Sequence, residues 1–135
     1  MNFNLNKQTF QAVEFVPVTL TAAATNSATN SIPPAVKSVV VTGVTNDAND
    51  WITLPDIADV PLGHEIIIQA NAGSNFELRT PASSNTKIND EDADGTKEYL
   101  VTDTHTVKLW KRTSTGWTGV SYTKLGAVVT AVVPD

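Results

Sequence analysis

The residues of this chain best suited to chemistry are Asp90, Asp92 and Asp94, which stand in the run Asp90-Glu91-Asp92-Ala93-Asp94-Gly95. Alternate carboxylates about a turn, with glycine at the bend, are how calcium loops present their oxygen ligands. The twelfth position counted from Asp90 is Val101, where such a loop needs a bidentate glutamate. No flanking helices are legible either, and a solvated acidic turn in a hairpin explains the same residues. The sequence is therefore read as holding no metal or other cofactor, with calcium at Asp90, Asp92 and Asp94 the one candidate kept.

Other chemistries have less to build on. His64 and His105 lie far apart and neither has metal-ligand spacing with a second histidine or a carboxylate. They read as exposed or capping polar residues. A Ser-His-Asp triad is set by geometry and not by order, but no Gly-x-Ser-x-Gly elbow is present, and the chain is expected not to be an enzyme. Lys108-Leu109-Trp110-Lys111-Arg112 interleaves basic and aromatic residues, as a single-strand nucleic-acid platform does. The net charge of −5 argues against it, because phosphate binding needs clustered Lys and Arg. Alternation would instead put Leu109 on one sheet face and Lys108 and Trp110 on the other. Trp51, Trp110, Trp117, Tyr99 and Tyr122 could line a sugar-binding surface, or serve as core and hairpin-pairing residues. There are no cysteines, which excludes disulfides, thiolate metal sites and cysteine nucleophiles.

The elements that must carry these residues are strands. The chain has 135 residues, the size of one domain. Its 19 Thr and 16 Val together exceed a quarter of it, and β-branched residues favour pleated, half-buried surfaces. After residue 36 about eight short strands follow at turn-marked intervals near ten residues, the spacing of a sandwich or barrel. They are residues 36–44, 51–54, 64–70, 76–79, 87–88, 98–102, 106–112 and 117–122. Ile66-Ile67-Ile68 reads as a strand buried on both faces. The expected fold is all-β, a single antiparallel β-sandwich or barrel-like domain over residues 36–135, with an extended N-terminal arm.

That arm is residues 1–20, joined by a small, polar linker or loop at residues 21–35 that ends in Pro33-Pro34. Phe3, Leu5, Phe10, Phe15 and Val16 make the arm costly to leave in water. It is either a first strand on the chain's own core or an extension that lays these side chains on a neighbour. The last stretch carries Val128, Val129, Val132 and Val133. It is either a final strand or an oligomer contact, since an exposed apolar edge invites aggregation. No apolar run is long enough for a membrane helix. The N-terminus lacks the basic-then-apolar order of a signal peptide, so synthesis in the cytoplasm is expected.

Residues 51–135 resemble the small β domains of tailed-bacteriophage virion proteins. The resemblance lies in Trp51-Ile52-Thr53-Leu54-Pro55, in Pro61-Leu62-Gly63 leading into Ile66-Ile67-Ile68, and in Phe76-Glu77-Leu78-Arg79-Thr80-Pro81-Ala82 running on to Ile88-Asn89. The Trp117 hairpin and the ending Tyr122-Thr123-Lys124-Leu125-Gly126-Ala127 add to it. Such domains occur on capsid decoration proteins, head fibres and tail fibres. The resemblance covers about 85 residues and leaves residues 1–50 unmatched. It implies a non-catalytic structural protein of the virion, made in the host bacterium. The short chain, lacking a fibre shaft, favours a capsid decoration or cement protein on the capsid surface. Its implied partners are the major capsid protein and further copies of itself, as a homotrimer, with no nucleic acid and no membrane. The alternative it implies is a fibre or baseplate domain that binds a host receptor or glycan.

Overall fold

Short alternating segments become strands wherever one side of the alternation can be buried. A computed structural model describes residues 17–25, 27–44, 50–71, 73–82, 84–95, 97 and 99–129. The strands are β1 (Val18–Ala22), β2 (Ser38–Val44), β3 (Trp51–Thr53), β4 (Glu65–Ala70) and β5 (Phe76–Arg79). They continue as β6 (Lys87–Ile88), β7 (Glu91–Asp92), β8 (Tyr99–Val101), β9 (Thr106–Lys111) and β10 (Gly116–Tyr122). The one helical element among the described residues is a 3-10 turn at Ile57–Asp59, where the Asp56 side chain accepts from the Ala58 N–H at 3.0 Å. The fold is all-β, and each of the eight segments expected after residue 36 contains a strand.

Seven strands form one sheet in the order β1-β2-β4-β9-β10-β6-β7, and three form a second in the order β3-β5-β8. The expectation of an antiparallel domain is corrected here. β1 with β2, β2 with β4, β3 with β5 and β6 with β10 are parallel pairs. Parallel neighbours need a crossover between them, and the chain supplies it by alternating between sheets. It runs β2, β3, β4, β5, so that each visit to a sheet lays a strand beside the one before, in the manner of a short coil. β8, β9 and β10 then run antiparallel to their predecessors and finish the sheets.

The segment read as a linker is part of this coil. β1 begins within the stretch read as an arm, at Val18. Ala23, Asn30 and Ile32 then pair with β3 on its outer edge: Ala23 and Trp51 exchange backbone bonds, Thr53 N–H donates to Asn30 O at 2.8 Å, and Ile32 N–H donates to Thr53 O at 2.9 Å. Asn30 is fully buried and fastens the crossing. Its Nδ2 lies 3.2, 3.0 and 3.1 Å from the carbonyls of Ala23, Thr25 and Trp51, while its Oδ1 accepts from the Ser27 N–H at 2.9 Å.

One core lies between the sheets. Val39, Val41, Ile66, Ile68, Val107, Leu109 and Trp117 come from the larger sheet, and Ile52, Phe76, Leu78, Tyr99 and Val101 from the smaller. Tyr99 also ties the sheets together, with its hydroxyl 2.9 Å from Ser121 Oγ. Burial pushes the Tyr99 pKa above its ordinary value of 10.0, against the lowering effect of that hydrogen bond. Gly119 lies against this ring: a Cβ there would meet Tyr99 Cε2 and Leu109 Cδ2 at 3.4 Å, ordinary contact distance. The reading of Ile66-Ile67-Ile68 as buried on both faces is corrected: Ile66 and Ile68 point inward, but Ile67 is 45% exposed. Among the described residues the outer face of the larger sheet is left partly open at that point.

Candidate functional site

The acidic run folds as a hairpin. Asn89 and Asp90 take φ of +52° and +69°, which tightens the two-residue turn between β6 and β7, where Ile88 pairs with Glu91. Asn and Asp tolerate this left-handed conformation better than other non-glycine residues. Asn89 adds a side-chain clamp on β10, with Oδ1 accepting from the Gly119 N–H at 2.8 Å and Nδ2 donating to the Gly119 carbonyl at 3.0 Å. The carboxylates diverge from there. Asp90 meets Arg112 at 2.9 Å, Glu91 meets Lys97 at 2.9 Å, and Asp92 meets Lys87 at 3.3 Å. Among the described residues no group of three or more His, Cys, Asp or Glu is placed to hold a metal ion. Asp90, Asp92 and Asp94 are therefore not gathered as a calcium loop would gather them.

The basic segment is committed to the chain itself. Lys108 pairs with Glu65 at 3.2 Å on the outer face. Lys111 Nζ donates to the carbonyls of Ile57 and Val60, both at 2.7 Å, and so closes the 3-10 turn onto β9. Arg112 holds Asp90. Alternation runs as the sequence implies, with Leu109 buried and Lys108 and Trp110 half-buried on the opposite face. His64 departs from its reading as an exposed or capping residue. It is buried, its Nε2 lies 3.2 Å from the Val36 carbonyl, and its ring meets Trp117 edge-on with centroids 6.4 Å apart.

The arm residues Phe3, Leu5, Phe10, Phe15 and Val16 lie outside the described residues, as do Val132 and Val133. Val128 and Val129 are described. They follow a turn in which Gly126 takes φ of +84° and Val129 N–H donates to Ser121 O at 2.8 Å, which folds the chain back along the end of β10. This hairpin leaves Leu125 95% and Val128 62% exposed. No described segment packs over them.

The aromatic residues divide by depth. Trp117 and Tyr99 are core residues, whereas Trp51, Trp110 and Tyr122 are half-buried on outer faces. Trp51 belongs to a side-chain group that spacing alone does not reveal. The Arg79 guanidinium lies 4.0 Å from the centre of its ring, and Glu77 holds that guanidinium at 2.8 Å. The register of β3 on β5 places Trp51 beside Glu77 and Thr53 beside Arg79. The sequence signal for this group was the period-two alternation in both strands, but the parallel pairing that joins them was not legible. No helix among the described residues is long and apolar enough to cross a membrane. The chain matches no protein-family model, no curated protein and no solved structure.

Proposed function

We propose that this chain is a non-catalytic structural protein of a tailed-phage particle, a capsid decoration (cement) protein that binds and stabilises the major capsid shell. In packing terms we read its body as a sandwich whose strands are wound as a short coil. The observation that carries the reading is the exposed pair Leu125 and Val128, apolar groups close together in one turn, where the other exposed large apolar residues, Leu62, Ile67 and Leu100, stand farther apart in the chain. Burial of apolar area on a partner is the natural use of such groups. They lead directly into Val129, Val132 and Val133, and the apolar N-terminal residues Phe3, Leu5, Phe10, Phe15 and Val16 supply a second adhesive segment. In this reading the N-terminal residues grip the shell, in part by adding a strand to an exposed sheet edge. The C-terminal valines join copies into a homotrimer on the virion surface. Support also comes from the surface ion pairs Lys87–Asp92, Lys97–Glu91, Lys108–Glu65 and Arg112–Asp90, in which these charges are taken up by one another.

The test is co-sedimentation of the purified chain with undecorated shells of the phage that encodes it. The full chain is expected to bind. A variant lacking residues 2–16, which keeps all of β1, is expected to stay folded and lose attachment. Leu125→Ser with Val128→Ser is expected to lower the trimer mass seen by light scattering. Full occupancy by the truncated chain would remove the role given to the N-terminal residues. Failure of the intact chain to bind would remove the reading itself.

A further inference from the structure

The structure carries a second kind of site, on the outer side of the smaller sheet. A half-open pocket of about 220 Å³ lies there, with Trp51, Thr53, Arg79, Thr80, Asp94 and Ser31 on its walls. Its residues come from three separate parts of the coil: Ser31 in the crossing after β1, the β3–β5 pair with the residues after it, and Asp94 in the loop after β7. Two of its hydroxyls, Thr53 Oγ1 and Thr80 Oγ1, are shut off from solvent and have no hydrogen-bond partner among the described residues. Thr80 is 2% exposed. Buried hydroxyls in native proteins are nearly always bonded, so two orphans on one pocket wall call for an explanation. Both oxygens are closed off as they stand, so a ligand in the pocket reaches them only through rotation of the threonine side chains.

We infer that this pocket binds a neutral, polyhydroxylated ligand, one ring of a carbohydrate. Size comes first: 220 Å³ lies below the roughly 300–1,000 Å³ of pockets for drug-sized molecules, and suits a single sugar ring. Charge comes next. The Arg79 guanidinium is already held by Glu77 at 2.8 Å, and Asp94 adds a carboxylate to the wall. That balance disfavours a phosphate or a carboxylate as ligand. The same guanidinium on the Trp51 ring repels a second cation from that ring. What remains is a ligand that packs C–H groups against the part of the Trp51 indole that Arg79 leaves uncovered and exchanges hydrogen bonds with threonine hydroxyls and a carboxylate. The Arg79 plane is fixed for the purpose, since Nη2 and Nε reach Glu77 Oε2 at 2.8 and 3.3 Å. Gly95 takes φ of +104°, a conformation that favours glycine, and so lets the loop turn beside Arg79. The site is independent of the shell-binding segments, so decoration and sugar binding can succeed or fail separately.

The experiment is a protein-observed NMR titration of the intact, methyl-labelled chain with glucose, galactose, mannose, rhamnose and N-acetylglucosamine, and with inorganic phosphate and acetate as anionic probes. At least one neutral sugar is expected to bind saturably and to shift the methyl resonances of Thr53 and Thr80. Thr80→Val keeps the shape and removes one hydroxyl, and Asp94→Asn removes the charge at an exposed position. Each is expected to weaken binding about tenfold or more, as loss of a hydrogen-bond partner in a site does. Denaturation midpoints would confirm that both variants fold, and shell co-sedimentation should be unchanged in them. The inference is overturned if none of the sugars binds, if the shifted resonances lie elsewhere, if folded variants bind as the parent does, or if phosphate or acetate binds in place of sugar.

Discussion

Asn30 is where the coil is most exposed to a single substitution. Its side chain sits fully buried where the crossing from β1 meets β3, and it serves carbonyls on both. Asn30→Ala removes the amide hydrogen bonds to Ala23, Thr25 and Trp51 and the acceptor for the Ser27 N–H. Two amide hydrogens cannot fully satisfy three carbonyls, so the loss counts as two to three bonds at about 1 kcal/mol each. The Ala23 and Trp51 carbonyls keep the backbone bonds that the two residues exchange, which limits the cost of orphaned acceptors. The expected destabilisation is therefore about 2–3 kcal/mol. With a urea slope near 2 kcal/mol/M for a domain of this size, the unfolding midpoint should fall by about 1–1.5 M at unchanged slope. Asn30→Asp sharpens the test, because it turns an oxygen toward carbonyl oxygens. At neutral pH it should be worse than alanine. Its carboxyl would be pushed above the usual range near 3.9. A group raised in the folded state loses stability as pH rises through its folded pKa, so this variant should recover on acidification relative to the parent. A midpoint shift under about 0.3 M for Asn30→Ala, or an aspartate variant as stable as the alanine one at pH 7, would refute the role given to this side chain.

Two further outcomes follow from the same bonding. Asn89→Ala loses both bonds to Gly119 and places alanine at a φ of +52°, for a combined loss of about 2–4 kcal/mol in denaturant unfolding; Asn89→Gly, which relieves the backbone, should lose about 1 kcal/mol less. Tyr99 titrates above 10.0 in the folded chain because it is buried; stability is thus full below the unfolded value and falls as pH climbs beyond it toward the folded one. Alkaline unfolding followed by circular dichroism should show this fall, and Tyr99→Phe should flatten it while lowering stability near neutral pH through the unpaired Ser121 hydroxyl.

Strand positions were legible in the sequence because burial on one side writes a period of two into the chain. Phe76-Glu77-Leu78-Arg79 and Thr106–Lys111 show it plainly, and both fold with the expected residues inward. Direction was not legible, because parallel and antiparallel neighbours impose the same alternation. The turn punctuation suggested hairpins, and the alternation between sheets left no mark of its own. Asn30 was hidden in a run of small polar residues that reads as a loop in any context. Ile67 misled because three consecutive isoleucines look alike whether or not the outer face is covered. For the candidate site, Trp51 stands out in the sequence as an aromatic residue, but its companions Thr53, Arg79, Thr80 and Asp94 are ordinary types whose meeting depends on the coil.

The winding of the sheets has a consequence for how the molecule is made. Val18 pairs with Val39, Ser38 with Ile67 and Glu65 with Trp110, so most sheet bonds join residues far apart in the chain. Such topologies fold slowly, in milliseconds to seconds. Yet each early turn needs only what has already been synthesised, and a ribosome would release β1, β2 and β4 in the order in which they stack. The hairpin of β9 and β10 is the last of the described strand pairs to arrive, and it seals the core with Trp117. Refolding from denaturant has no such ordering. Stopped-flow fluorescence should therefore report a slow approach to the buried state of Trp117, and a single phase in microseconds would contradict this picture.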